Sequence, residues 1–455
     1  MKRSLVPCIL ALSAAALTPG CGQNGGGIVP PANGASAIGV AAQSATRRVD
    51  HVVIVVQENR SVDNLFNGLP NADTVRSGLD SQHDRVTLQP ISLSAPYDIS
   101  HRHAAFETEY AAGSLDGFNL APSHCQVKKK CPNKVRRAYA YVPHFQTKPY
   151  FTMAEEYGFA DRMFQSNQGP SFPAHQYLLS GTSSIEENVP LLAAENPLTA
   201  QQHWTGGCDS PPGSLVYVID QAGRENQQVY PCFNRPALTS LLDKRELSWR
   251  YYGTHLGAGL WNAPDAVLSV RQSPQFRYDV VSPPARILSD IKNGDLANVV
   301  WVTPTGAASD HAGQTDGTGP SWVAAVVNAV GKSKFWNDSV IFVVWDDWGG
   351  WYDHVQPPMY NSYELGFRVP LIAISPYVPK GFVSHRRHEF GSILKYVERN
   401  FGLGSLGATD ERADDLSDFF DYQQQPRKFV AIPAPHDAKF FLSHALSSTD
   451  PDDDY

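Results

Sequence analysis

Beyond its first twenty residues the chain has no apolar run long enough to cross a bilayer, which takes about 20 residues. It has no surplus of positive charge either. Against 37 Lys and Arg stand 45 Asp and Glu, a net charge of −8, which argues against a general nucleic-acid binder. No internal repeat is visible. Cysteine is scarce, 6 in 455 residues, and no C-x2-C pair occurs, so the spacing does not point to a structural zinc module. What is present is an ordinary globular composition, with 42% hydrophobic and 11% aromatic residues, enough for a sizeable core.

The N-terminus reads as a targeting segment. Met1-Lys2-Arg3 is basic, and the apolar "LVPCILALSAAAL" that follows is too short to stay in a membrane. Residues 1–21 are therefore expected to be a signal peptide. "LTPGC" places Cys21 where a bacterial lipoprotein carries its lipid, although Thr18 and Pro19 are not the usual residues there. Lipidation of Cys21 and plain cleavage both stay open. Residues 22–48, rich in Gly, Ala and Pro, read as a flexible linker such as would tether a domain to a lipid anchor. The chain is expected to be exported, and to be periplasmic and membrane-tethered or else secreted. Export predicts disulfides. Setting aside Cys8 and Cys21, the remaining cysteines are Cys125, Cys131, Cys208 and Cys232. Neighbours in sequence suggest Cys125–Cys131 and Cys208–Cys232, although four cysteines allow three pairings.

From Val49 onward apolar runs of strand length alternate with helical patterns. Strands are expected at 52–56, 247–252, 299–302, 340–345 and 369–374. Helices are expected at 152–157, 174–179, 237–244, 285–293, 321–330 and 392–401. This order predicts an α/β fold with a mostly parallel central sheet and helices on both faces, spanning 49–430. Regions 70–100 and 195–235 read as loops or insertions, and 431–455 as an acidic tail. The basic cluster Lys128, Lys129, Lys130, Lys134, Arg136 and Arg137 reads as a solvated loop or as a patch attracting anionic lipid or a phosphate-bearing substrate.

Two of the strands end alike. "SVIFVVWDDWGGWYDHV" passes from a buried run straight into Asp346-Asp347, and "HVVIVVQENRSVDNLF" passes into Glu58-Asn59. Adjacent carboxylates repel and are costly to bury unpaired. Ligands in open α/β sheets sit beyond the carboxyl ends of strands, so one hard cation held by Glu58, Asn59, Asp346 and Asp347 accounts for both pairs. Gly349-Gly350 permits the turn that lets both aspartates reach it. The oxygen set favours Mg, Ca or Mn, with catalytic Zn also admitted. In "SNQGPSFPAHQYLLSGTSS", Ser171 precedes an expected helix, either as a simple cap or as a nucleophile held where backbone N–H groups favour negative charge. Histidines follow strands or lie in polar loops: His101, His255, His311 and His354.

"HVVIVVQENRSVDNLF", "GPSFPAHQYLLSGT", "VVWDDWGGWYDHVQPP", "FRVPLIAISPYV" and "HEFGSILKYVERNFGL", in that order, resemble the bacterial phosphoesterase family of phospholipases C and acid phosphatases. The resemblance implies an alkaline-phosphatase-like α/β fold and one divalent metal ion on Glu58, Asn59, Asp346 and Asp347. It implies Ser171 as nucleophile, passing through a phosphoserine, and His101 and His311 around the phosphate. His255 and His354 match less closely as substrate-binding residues. The chain departs from the family pattern at Pro173-Ala174-His175, where many phospholipases C read P-N-R, and at Trp348, where the usual D-E-H-G-G has histidine. The resemblance implies a metal-dependent hydrolase of phosphate esters or phospholipids, with monoester or diester preference and oligomeric state left open. The alternative is a surface-tethered binding lipoprotein that kept the fold and lost the chemistry.

Overall fold

The computed structural model describes residues 48–126 and 131–444. The expected signal peptide, Cys21, most of the linker, Lys128–Lys130 and the end of the acidic tail lie outside these residues.

The order of apolar runs becomes an eight-stranded central sheet. Its strands are β1 (His51–Gln57), β2 (Gly158–Ala160), β3 (Trp249–Tyr252), β4 (Val280–Val281), β5 (Val299–Val302), β6 (Ser339–Trp345), β7 (Leu371–Ile374) and β8 (Phe382–Ser384). They lie in the order β4-β3-β5-β1-β6-β7-β2-β8. β7 pairs antiparallel with β6 and β2, and every other pairing is parallel, so the sheet is mostly parallel as expected. β2, β4 and β8 are two or three residues long, too short to leave a periodic signal in the sequence.

Helices cover both faces. The longer ones are α1 (His103–Tyr110), α2 (Lys148–Glu156), α3 (Ser171–Ser180), α4 (Leu238–Asp243), α5 (Arg286–Lys292), α6 (Gly319–Gly331) and α7 (Phe390–Phe401). Trp301, Ile54 and Phe342 pair laterally, so they share one face. There Trp301 Nε1 donates to Leu178 O of α3 at 3.0 Å, and Phe342 packs on Tyr396 of α7. Trp345 is three residues from Phe342, so it points the other way and meets Tyr150 of α2. A strand buried on both faces needs the unbroken apolar runs seen in β1 and β6.

The insertions carry small sheets of their own, including a three-stranded one from Leu191–Ala193, Val216–Asp220 and Gln227–Val229. Both suggested cysteine pairs are bonded, Cys125–Cys131 and Cys208–Cys232. Packing runs past residue 430. Ile432 N donates to Asn328 Oδ1, and α8 (Ala438–Ser443) seats Phe441 against Trp322. Among the described residues no helix is long and apolar enough to cross a membrane.

One register positions everything that follows. Gln57 of β1 pairs with Trp345 of β6, the last residue of each strand, so Glu58 and Asp346 emerge side by side at the same sheet edge.

Candidate active site

Both strand ends turn sharply where they leave the sheet. Asn59 takes a left-handed conformation with φ 56°, which asparagine tolerates better than most residues. That turn lets Glu58 and Asn59, adjacent in sequence, reach the same place. The other pair turns at Gly349 and Gly350, with φ 63° and 70°. A Cβ on Gly349 would stand 2.3 Å from Asn59 O, so the glycine serves both the turn and the close approach of the two strand ends.

Each acid of the late pair divides its oxygens. Asp346 Oδ1 accepts from Asn59 N at 3.1 Å and from Asp347 N at 2.8 Å, which holds the turn. Its Oδ2 is buried without a hydrogen-bond partner and lies 3.7 Å from His175 Nε2. Asp347 Oδ1 accepts from Gly349 N at 2.7 Å, while its Oδ2 accepts from Asn59 Nδ2 at 3.1 Å and Ser171 Oγ at 3.3 Å. Glu58 is shared likewise, with Oε2 3.3 Å from Ser171 Oγ and Oε1 3.1 Å from His175 Nε2.

Ser171 is the first residue of α3, after Pro170. Its hydroxyl therefore lies at the helix N-terminus, where the dipole favours negative charge. Phe172 N donates to Asn196 Oδ1, and Asn167 Nδ2 donates to Gly169 O, which fixes the turn that presents the serine. Ser171, Glu58, Asn59, Asp346 and Asp347 are all buried.

The histidines divide. His101 Nδ1 lies 2.9 Å from Ile99 O and so carries the proton, and Nε2 accepts from Asn59 Nδ2 at 3.1 Å. His311 Nδ1 is 2.8 Å from Ala312 O, and its ring meets that of His101 edge to face at 5.6 Å. These two join the serine and the acids. His255 follows β3, two strands from β1 in the sheet. His354 turns to Asp63 and Asp73, 2.6 and 3.1 Å away, in an ion network centred on buried Arg368. Burial opposes the charged ring of His354, but the hydrogen bond and charge of Asp63, with Asp353, outweigh it and raise the pKa.

In the sequence, His175 stands out only as part of the departure from P-N-R. The structure places it one helical turn after Ser171, on the same face of α3, with Glu58, His175 and Asp346 offering ligand atoms all within 4.8 Å of one another. The i, i+4 spacing from the serine was the available signal. Trp348 fills the position of the family histidine. Its Nε1 donates to Glu109 Oε2 at 2.6 Å, and burial pushes that carboxyl well up. Its ring stands edge to face with His101, so an aromatic wall backs the histidine.

The donor set fits a divalent cation. Glu58, His175 and Asp346 bring ligand atoms within 4.8 Å of one another, Ser171 Oγ links Glu58 to Asp347, and two buried oxygens, Asn59 Oδ1 and Asp346 Oδ2, lack hydrogen-bond partners.

A family model described as Phosphoesterase family matches residues 49–404. The chain belongs to the phosphoesterase family. It is 24% identical over 401 residues to the non-hemolytic phospholipase C of Burkholderia pseudomallei, covering 78% of this chain and 55% of that one. It is 23% identical over 430 residues to phospholipase C A of Mycobacterium tuberculosis, covering 83% and 78%. The chain thus spans about half the length of the Burkholderia relative and more of the mycobacterial one. A solved member of the alkaline phosphatase superfamily from Vibrio parahaemolyticus is similar at TM-score 0.37 and 10% identity, covering 80% of this chain and 70% of that one. The lipoteichoic acid synthase LtaP of Listeria monocytogenes is similar at TM-score 0.39 and 10% identity, covering 83% and 79%. Scores at this level leave the fold resting on the sheet itself.

Proposed function

We propose that this phosphoesterase-family chain hydrolyses phosphoric esters through Ser171, with phospholipid diesters the first substrate class to test, because the curated relatives above are phospholipases C. The observation that carries the reading is the shared approach of Ser171 Oγ to Glu58 Oε2 and Asp347 Oδ2, each at 3.3 Å, beside Asn59. Glu58, Asn59, Asp346 and Asp347 would hold one divalent ion. When bound, that ion lowers the pKa of the serine hydroxyl and offsets charge developing on the phosphoryl oxygens.

The protein's own groups do the rest. The two carboxylate oxygens accept from Ser171 and so orient its lone pairs outward from the acids. The N-terminus of α3 favours the charge that develops as Oγ bonds to phosphorus. With Nδ1–H held by Ile99 O and Ala312 O, Nε2 is the nitrogen of His101 and His311 that exchanges a proton. Protonated there, either ring donates to the leaving alkoxide as the P–O bond breaks. The proton that Oγ gives up on attack passes to the carboxylate it donates to, Glu58 or Asp347; water then attacks the phosphoserine, giving a proton to the histidine that protonated the leaving group, the P–Oγ bond breaks and Ser171 takes its proton back from that carboxylate.

The test is a paired assay on phosphatidylcholine and p-nitrophenyl phosphate, with wild type and Ser171→Ala. Turnover of at least one substrate is expected in the wild type, with a loss of about a thousandfold or more in the variant, since no neighbouring group replaces the nucleophile. Acid-quenched wild type should carry phosphate on the peptide containing Ser171. A variant that keeps more than about a tenth of the activity would overturn the assignment.

A further inference from the structure

We infer that His175 is a nitrogen ligand of the cation, and that it turns the site from a calcium, magnesium or manganese site into one that prefers zinc. This rests on the metal reading above and names a ligand that the sequence motifs do not supply.

His175 Nδ1 lies 3.4 Å from Tyr251 OH, and the Tyr251 hydroxyl donates to Trp261 O. The tyrosine proton is thus committed, and the tyrosine oxygen accepts from His175 Nδ1–H. In the neutral ring the lone pair then sits on Nε2, which faces Glu58 Oε1 at 3.1 Å and Asp346 Oδ2 at 3.7 Å. Trp261 stacks beside the imidazole, with ring planes 20° apart, and holds that orientation. Metal-bound histidines characteristically donate their second nitrogen to such a partner.

A lone pair aimed at two carboxylate oxygens is repulsive in a site where the imidazole and both acids are at most 1% exposed. A cation at their common point removes the repulsion. It also satisfies Asp346 Oδ2, which is buried without a hydrogen-bond partner.

Oxygen donors alone suit magnesium and calcium, whereas an imidazole nitrogen suits zinc and its neighbours, whose affinity for nitrogen donors is higher. With His175 added, the set from Glu58, Asp346, Asp347, Asn59 and one imidazole is mixed rather than purely hard.

The test is metal binding, read apart from turnover. Full-length wild type, His175→Ala, His175→Gln and Asp346→Asn are dialysed against Zn²⁺, Mn²⁺, Mg²⁺ or Ca²⁺ and the bound metal counted. Mn²⁺-loaded samples are examined by pulsed electron paramagnetic resonance for ¹⁴N coupling. Near-ultraviolet circular dichroism checks the folding of each variant, and glutamine keeps the volume should alanine fail to fold. Wild type should bind Zn²⁺ more tightly than Mn²⁺, Mg²⁺ or Ca²⁺ and, when loaded with Mn²⁺, show nitrogen coupling. Both His175 variants should lose that coupling and bind Zn²⁺ about tenfold or more weakly, with Mg²⁺ affinity within about threefold. If wild type binds metal and loses it in Asp346→Asn, yet shows no nitrogen coupling that depends on His175, the ligand assignment falls and the metal reading stands. If wild type binds no divalent ion, both fall.

Discussion

At the scale of single residues, the buried carboxyl of Asp310 gives a test of pH dependence outside the acid cluster. Burial raises it from 3.8 to about 6, opposed by the charge of Arg60 and by hydrogen bonds from Tyr150 and Trp345. A raised carboxyl binds its proton more tightly in the folded chain than in the unfolded one. Its contribution to stability is therefore fully present below pH 3.8 and is lost as the pH rises to about 6. A shift of this size corresponds to a penalty on the order of 3 kcal/mol at neutral pH. Asp310→Asn keeps an acceptor for Tyr150 and Trp345 but carries no charge. Relative to wild type, it should gain on the order of 3 kcal/mol between pH 4 and pH 7, read from urea unfolding at stepped pH. A difference between the two proteins that stays flat across this range would mean the carboxyl ionises in the fold without penalty.

At the scale of elements, the turns that end β1 and β6 matter more than the strands. Gly349→Ala forces a left-handed alanine and sets a Cβ 2.3 Å from Asn59 O. The conformation alone costs about 1–2 kcal/mol, and the clash must push the two strand ends apart. The expected result is a lower melting temperature together with a loss of metal affinity out of proportion to the loss of stability. A variant with wild-type metal binding would show that the close approach is not needed. The last helix gives a second test at this scale. Phe441 of α8 is 3% exposed and packs on Trp322, so Phe441→Ala should cost about 3 kcal/mol by chemical denaturation. No measurable cost would place residues after 430 outside the cooperative unit.

At the scale of the whole molecule, the bond from Cys208 to Cys232 closes a loop of sequence separation 24 in an insertion that packs beside α3 through Phe172 and Phe233. Replacing both cysteines by serine should lower stability by about 3 kcal/mol, much of it by loosening the unfolded chain. Mass mapping of non-reduced peptides from exported protein should recover both disulfides. Four free thiols there would count against an oxidised, exported chain.

The sequence by itself determined the layered α/β fold and the strands that carry the site, because a strand buried on both faces must be apolar throughout and such runs are visible without coordinates. It also singled out Glu58, Asn59, Asp346, Asp347 and Ser171, because oxygen-bearing pairs directly after such strands are expensive unless something positive lies between them. Tertiary structure decided which strands are neighbours. Nothing local to 51–57 or 339–345 states that Gln57 pairs with Trp345, yet that register sets Glu58 beside Asp346. It decided among the histidines as well. His354 stands in a motif segment like the others, but Arg368, Asp63 and Asp73 hold it in an ion network, whereas His175, which carried no signal beyond its spacing from Ser171, faces two acids from other strands. A side chain's role there depends on what meets it across a sequence separation of 117 residues, and no local pattern encodes that partner.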